Sequence, residues 1–288
     1  MSSQHRTGSR KLKGVAVSGL TLASALLMTG CSDQAEVGFL PTKRGVTDNA
    51  DTIMSLWIGS WVAALVIGLI TWGLMLWCII AYRRRKNETG YPRQLSYHAP
   101  LEILYTIIPV VLIVSLFSFS DRAERDITAP KADEAAVTVE VYGKQWAWDF
   151  NYLKGGEVPQ DVHFSGNQAH LTGEEGVEET LPTLYLPTNS TVDLQLKSRD
   201  VIHSFWVPAF LEKRDTIPGR TNHMYFTTGS EEATYAGKCA ELCGEYHSEM
   251  LFNVKVVSPE EFKKHMGELQ PGRLGDEYNR NPNMNTTK

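Results

Sequence analysis

Between Cys239 and Met250 the chain gathers two thiols, an imidazole and a thioether in one short stretch: Cys239-Ala-Glu-Leu-Cys243-Gly-Glu-Tyr-His247-Ser-Glu-Met250. Soft sulfur donors beside imidazole select copper or zinc. Two thiolates four residues apart can bridge two metal ions if the chain between them folds back. Methionine is a poor ligand for zinc and a weak one for copper, which turns the choice towards copper. A second imidazole, His203, lies upstream in Asp200-Val-Ile-His203-Ser-Phe-Trp-Val-Pro208, on a separate loop. A tetrahedral zinc site made of Cys239, Cys243, His203 and His247 is the competing reading. It leaves Met250 and the upstream motif without a role. Taken one at a time, each residue has a plainer use: methionine in a core, histidine at a surface, cysteines as buried thiols.

Ligands drawn from separate loops need a stiff scaffold. From Ala136 the chain supplies a period of two, with Val137, Val139 and Val141 alternating with Thr138, Glu140 and Tyr142. The same alternation returns at 191–197 and 251–257, with turn residues between the runs. Several short strands spaced in this way predict a β-sandwich or barrel. The stretch 152–179 is rich in glycine and acidic residues and carries little apolar pattern, so it reads as a long inserted loop. Loops beyond about 12–15 residues without structure of their own are functional or disordered. Its carboxylates suit an acidic flap that steers a basic partner, against the plainer reading of a solvated loop. Ser258-Pro259-Glu260-Glu261 predicts a capped short helix, and the polar tail from Gln270 is expected to be disordered.

The first 120 residues are different, with long apolar blocks. Residues 1–30 read as an export signal: Arg6, Arg10, Lys11 and Lys13 precede an apolar run that ends at Leu-Met-Thr-Gly-Cys31. A small residue before cysteine suits a lipoprotein cleavage site, with Cys31 lipidated; simple cleavage, or retention of an uncleaved segment, stays open. After an outer segment, 31–52, the run Ile53–Tyr82 has no charged residue and is long enough to cross a hydrocarbon core of about 30 Å. Trp57, Trp61, Trp72 and Trp77 lie towards its ends. A second span follows at about 101–120, with Pro109 inside it. Between the two spans lies Arg83-Arg84-Arg85-Lys86, which the positive-inside rule places in the cytoplasm, leaving everything after Asp121 outside. A net charge of −5 excludes a nucleic-acid footprint. Each of the four cysteines has a use of its own, so no structural disulfide is expected.

The string C-x-E-x-C-G-x-x-H-x-x-M, with D-V-x-H-S-F-W-V-P, resembles subunit II of the haem–copper cytochrome c oxidases. The likeness covers roughly residues 53–257. It implies a two-helix transmembrane hairpin followed by an all-β cupredoxin-like Greek-key barrel, with the copper A domain at 121–257 and a short helix and tail at 258–288. It implies two copper ions bridged by Cys239 and Cys243, with His203, His247, Met250 and the carbonyl of Glu241 as further ligands. The Glu241 carboxylate would reach a magnesium or manganese ion shared with subunit I. Gln145-Trp146-Ala147-Trp148-Asp149-Phe150 matches an aromatic run in which Trp146 receives the electron and Trp148 packs the core. Pro100-Leu-Glu102 matches the start of the family's second span, where Glu102 stands at the mouth of a proton path; a solvated helix end is the plainer use of that carboxylate.

Through this resemblance the expected partners are oxidase subunits I and III, haem residing in the partner subunit only. The donor is cytochrome c or a cytochrome bc complex with a tethered cytochrome c. The lipoprotein-like start and the inserted loop resemble the high-GC Gram-positive branch. Expected function is therefore electron transfer from cytochrome c through copper A to haem, for reduction of oxygen to water coupled to proton pumping. Two readings from other classes compete: a copper-free quinol oxidase subunit II, which lacks these ligands, and a copper-delivery assembly protein, which needs neither His203 nor Met250. Nitrous oxide reductase, which shares the copper A domain, is too large and carries no spans.

Overall fold

The computed structural model describes residues 33–85, 89–91, 94–168 and 181–275. The chain divides at Pro41 into two units. In the first, the single helical turn Asp33–Glu36 is closed by the amides of Gly38 and Phe39, which donate to the carbonyls of Ala35 (3.1 Å) and Gln34 (2.8 Å). The expected signal segment and Cys31 lie outside the described residues.

The second unit begins with two long apolar helices, α1 (Asp48–Ala81) and α2 (Ala99–Thr128). Both are long and apolar enough to cross a membrane. Their large side chains, such as Leu69, Ile80, Ile113 and Phe117, are exposed to the surroundings, as expected where lipid or another subunit covers them. Both helices outrun the spans expected from hydropathy. The Thr47 side chain caps the amide of Ala50 at 3.0 Å and so starts α1 early. At the other end α2 runs on through Asp121–Arg125, an i,i+4 ion pair of 2.9 Å, until Pro130 forces Ala129 out of the helical region.

The start of α1 is built into the β domain that follows. Asn49 Nδ2 donates to the carbonyl of Tyr225 (2.7 Å), the amide of Thr227 donates to Asp48 Oδ1 (2.8 Å), and that of Gly229 to the carbonyl of Val46 (3.0 Å). These contacts cover an otherwise open strand edge.

Among the described residues eleven strands form the domain. They are β1 (Val137–Lys144), β2 (Ala147–Leu153), β3 (Val162–Ser165), β4 (Thr183–Pro187), β5 (Thr191–Ser198), β6 (His203–Val207), β7 (Glu212–Thr216), β8 (Asn222–Thr227), β9 (Ala233–Cys239), β10 (Leu251–Val257) and β11 (Gln270–Pro271). One sheet has the order β11-β3-β2-β1-β5-β8 and the other β4-β10-β9-β6-β7. Two pairs, β1 with β5 and β4 with β10, are parallel, and the rest are antiparallel. The sheets close on one core, to which Val139, Val141, Trp148, Phe150 and Leu194 contribute from the first and Leu186, Phe205, Phe252 and Val254 from the second. Helix α3 (Pro259–Glu268), capped by Ser258 as expected, seals one end with Phe262 and Met266.

Two sequence expectations are corrected here. Tyr152 belongs to β2, and Val162–Ser165 form β3 paired to it in the register Tyr152↔Val162, so the inserted loop is shorter than 152–179. A four-residue strand between turn residues is too short to register as an alternating run. Residues 169–180 lie outside the described residues. The tail does not become irregular at Gln270 either. Gln270 and Pro271 pair with β3, Arg273 reaches Glu140, and the amide of Leu274 donates to Asn151 Oδ1 at 3.0 Å.

The face of β1 turned away from the core is buried as well. Asp149 Oδ1 meets Lys144 Nζ at 2.8 Å and Asp149 Oδ2 meets Arg199 Nε at 2.9 Å, all three side chains out of solvent. Removing the shared carboxylate leaves two buried cations uncompensated, which costs about 3–5 kcal/mol. Asp149→Ala is expected to lower unfolding stability by that amount in chemical denaturation; a loss under about 1 kcal/mol would show that both cations have other neutralisers.

Candidate metal centre

The sulfur–imidazole cluster sits where three strand ends meet. Strand β9 ends at Cys239, the chain reverses through 240–246, and a 3₁₀ turn at His247–Glu249 leads into β10. The loop is closed at its base by the amide of Cys239, which donates to the carbonyl of Met250 (3.0 Å), and tied to β6 by the amide of Ala240, which donates to the carbonyl of Ser204 (3.0 Å). Because Phe205 of β6 stands opposite Cys239 of β9, His203 is delivered beside the thiols.

Inside this frame the two Sγ atoms are 3.8 Å apart. Cys243 Sγ lies 3.5 Å from His247 Nδ1 and 3.8 Å from Met250 Sδ. Cys239 Sγ lies 4.0 Å from His203 Nδ1 and 3.2 Å from the carbonyl oxygen of Glu241. His203, Cys239, Cys243 and Met250 are buried, whereas His247 is partly exposed and Glu241 and Leu242 face outward. Every donor expected from the sequence thus converges on the thiol pair. The set is rich in sulfur and offers two imidazoles, a thioether and a carbonyl, which fits copper better than a closed zinc tetrahedron.

Electrostatics favour a thiolate here. The two thiols share a hydrogen bond; although burial opposes the charge, that bond, His203 and the backbone of Glu241 and Ser204 hold Cys239 far below the ordinary thiol range. Cys243 is pushed up by the same contact and by burial. Burial, the largest single influence, also opposes the charges on His203 and Asp200, yet their mutual contact together with Cys239 beside His203 and the amides of Gln145 and Val201 on Asp200 outweighs it, lifting His203 above and Asp200 below their ordinary values.

A second loop presses on the centre. The β1–β2 turn carries Gln145 and Trp146, and both Gln145 Nε2 (2.8 Å) and Trp146 Nε1 (3.2 Å) donate to the carbonyl of Cys243. Gly244 makes this approach feasible: it stands at φ +120, and a Cβ there would come 3.1 Å from Gln145 Nε2 and 3.2 Å from the indole. The Trp146 ring is partly exposed and meets Tyr246 edge-on, with centroids 4.8 Å apart. Trp148, two residues on, is fully buried against Phe205 and Phe252.

Over residues 41–120 the chain matches the sequence model described as "Cytochrome C oxidase subunit II, transmembrane domain", and over 137–257 the one described as "Cytochrome C oxidase subunit II, periplasmic domain". It is 42% identical to the "Probable cytochrome c oxidase subunit 2" of Streptomyces avermitilis, across 95% of this chain and 91% of that one. The chain belongs to the cytochrome c oxidase subunit II family. A Nocardia farcinica relative of the same description is 35% identical over 92% of this chain and 82% of its own length. The solved periplasmic domain of subunit II of cytochrome oxidase from Bradyrhizobium japonicum is 31% identical, covers 49% of this chain and 95% of its own, and superposes with a TM-score of 0.41. Membership makes the chain a membrane-embedded oxidoreductase subunit with two spans that associates with other oxidase subunits, and implies copper at this cluster. The resemblance to the high-GC Gram-positive branch agrees with the Streptomyces and Nocardia relatives.

Glu102 stands apart from the centre. It lies in the first turn of α2, where its Oε1 accepts from the amide of His98 at 3.1 Å, roughly 40 Å along the helix from Thr128. Three supporting residues were not singled out from sequence: Asp200, Gln145 and Gly143. Asp200 precedes His203 by three positions, and Gln145 precedes the aromatic pair; those adjacencies were the only signals. Gly143 had none, because its role is space. A Cβ there would stand 2.9 Å from both His203 Cδ2 and Thr216 Oγ1. Gly143→Ala is therefore expected to push the imidazole off the thiol pair and weaken metal retention by about 10- to 100-fold while the fold persists. Titrating metal against a chelator, alongside circular dichroism, reads both; unchanged retention would mean His203 has room to move.

Proposed function

We propose that this chain receives electrons from cytochrome c at a dinuclear copper centre and passes them to haem in subunit I, where oxygen is reduced to water and protons are pumped. The observation that carries the reading is the convergence of His203, His247, Met250 and the Glu241 carbonyl on two thiols only 3.8 Å apart. Cys239 and Cys243 would bridge two copper ions, and His203, His247, Met250 and the Glu241 carbonyl would complete their coordination. When bound, such a pair supplies a one-electron carrier whose charge is shared between two ions, which keeps reorganisation small. The chain's own part is to hold those donors still, keep water from the sulfurs and orient both imidazoles.

Trp146 is the point of electron arrival in this reading. Its ring offers a partly open face and ties to a ligand's backbone through one hydrogen bond to the Cys243 carbonyl. Glu241, its side chain turned outward, would share magnesium or manganese with subunit I. The positively charged loop after α1 supports placing the β domain on the outer side of the membrane. On the same reading Cys31 carries lipid, Glu102 borders a proton path, subunits I and III are neighbours, and the donor is cytochrome c, free or tethered to a bc complex.

Two outcomes test this. Cys239→Ser or Cys243→Ser should abolish the mixed-valence signal in electron spin resonance completely, because a hydroxyl does not bridge soft copper ions. A serine variant that keeps two coppers per chain and a seven-line spectrum would defeat the assignment, as would a colourless zinc protein from wild-type membranes. Trp146→Ala should slow electron transfer from cytochrome c strongly and leave copper content near wild type, measured by stopped-flow reduction; if Trp148→Ala slows it as much and Trp146→Ala does not, the role belongs to the inner ring.

A further inference from the structure

The ring of His203 is held from behind. Its Nε2 lies 2.7 Å from Asp200 Oδ1, and the opposite nitrogen, Nδ1, faces Cys239 Sγ at 4.0 Å. The other carboxylate oxygen, Oδ2, accepts the backbone amide of Gln145 at 2.7 Å, and the amide of Val201 donates to Oδ1 at 2.7 Å. Gln145 in turn donates its side-chain amide to the carbonyl of Cys243. One carboxylate therefore belongs to a closed ring of contacts that runs from Asp200 through His203 to the thiols, and back through the Cys243 carbonyl and Gln145.

We propose that Asp200 is a positioning residue for the copper centre: it fixes His203 in the tautomer that presents Nδ1 to the metal and locks the Trp146 turn to the same imidazole. The inference rests on the copper reading given above. A neutral imidazole has one N–H and one lone pair, so a carboxylate on Nε2 keeps the proton there and frees Nδ1. The side chain of Asp200 is 17% exposed and that of His203 is fully buried, so their contact is little screened by solvent. Among the described residues Asp200 is the hydrogen-bond partner on the Nε2 side, while Gly143 and Trp148 bound the space around the ring.

Asparagine cannot replace Asp200 fully. If its oxygen accepts from His203, its amide group faces the donor N–H of Gln145, and one of the two bonds is lost along with the charge. The molecule also contains a second carboxylate–imidazole pair for comparison. Asp193 on β5, its side chain 3% exposed, holds a half-buried His223 on β8 at 2.9 Å, on a different pair of strands from the thiols.

The test uses the oxidase purified with the full chain, comparing Asp200→Asn, Asp200→Ala and Asp193→Asn with wild type. Asp200→Ala should lose copper to a chelator about 10- to 100-fold more readily. Asp200→Asn should keep more copper, show altered hyperfine splitting and have a raised midpoint potential, because removing a nearby negative charge destabilises the oxidised centre. Asp193→Asn should match wild type in every reading. If Asp200→Ala fails to assemble, the potential and hyperfine pattern of Asp200→Asn decide. Wild-type retention and potential in the Asp200 variants would overturn the proposal, and so would an equal shift in Asp193→Asn. A wild-type oxidase without a dinuclear copper signal would instead overturn the copper reading itself.

Discussion

Two sulfur atoms must be held 3.8 Å apart in a dry pocket, close enough to share metal and kept from water, and much of the β domain answers to that constraint. Left to itself, a loop of this length samples many shapes, and ordering each residue costs on the order of 1–2 kcal/mol. The cost is offset by anchoring the loop at both ends in one antiparallel pair, β9 and β10, and by stitching it sideways to β6. Those strands are themselves rigid because Phe205, Phe252 and Trp148 interlock beneath the cluster, with ring centroids 4.6–5.6 Å apart. Aromatic pairs in such edge-on and offset arrangements contribute about 0.5–1.5 kcal/mol beyond the area they bury. The core thus serves as the floor of the metal centre.

The walls come from the first sheet. Strand β1 brings Gly143 under the His203 ring, and the turn that follows brings Gln145 and Trp146 onto the Cys243 carbonyl. That turn is held in place by the buried pairing of Lys144 with Asp149, which also binds Arg199, the neighbour of Asp200. Buried ion pairs are poor sources of net stability, since desolvation cancels much of their attraction. Here the geometry suggests a different use: a directional lock that keeps the turn and the 199–203 segment in one register, leaving Asp200 with both its oxygens in use.

Coupling to the membrane part follows the same economy. The first span is no appendage, because Val46, Asp48 and Asn49 are hydrogen-bonded to the edge strand β8 and to the residues just after it. Lys131, beyond the second span, pairs with Asp48 at 2.8 Å. Both helices therefore enter the β domain at one place, so the tilt of the hairpin and the orientation of the metal loop relative to it are fixed together. On the proposed reading, handing electrons to a neighbouring subunit needs that fixed distance.

The amino-acid sequence by itself determined which donors gather at the thiol pair, the two apolar spans and the strand-rich nature of the rest. These depend on residue type and short-range period: sulfur and imidazole at Cys239–Met250, uninterrupted apolar runs, and alternation at Val137–Val141 and 251–257 all leave local marks. Capping at Ser258 was equally local and is present as expected. Only the tertiary structure decided which residues support the ligands. Asp200 and Gln145 act through partners far along the chain or through backbone groups, and Gly143 acts by the absence of a side chain, none of which has a periodic signature. The same holds for β3 and the tail strand β11. Each is too short to specify a strand by propensity, and they exist because β2 offers an open edge to one and the other completes it. Long-range pairing is set by which edges and cavities remain once the core has closed, and that information is distributed over the whole chain.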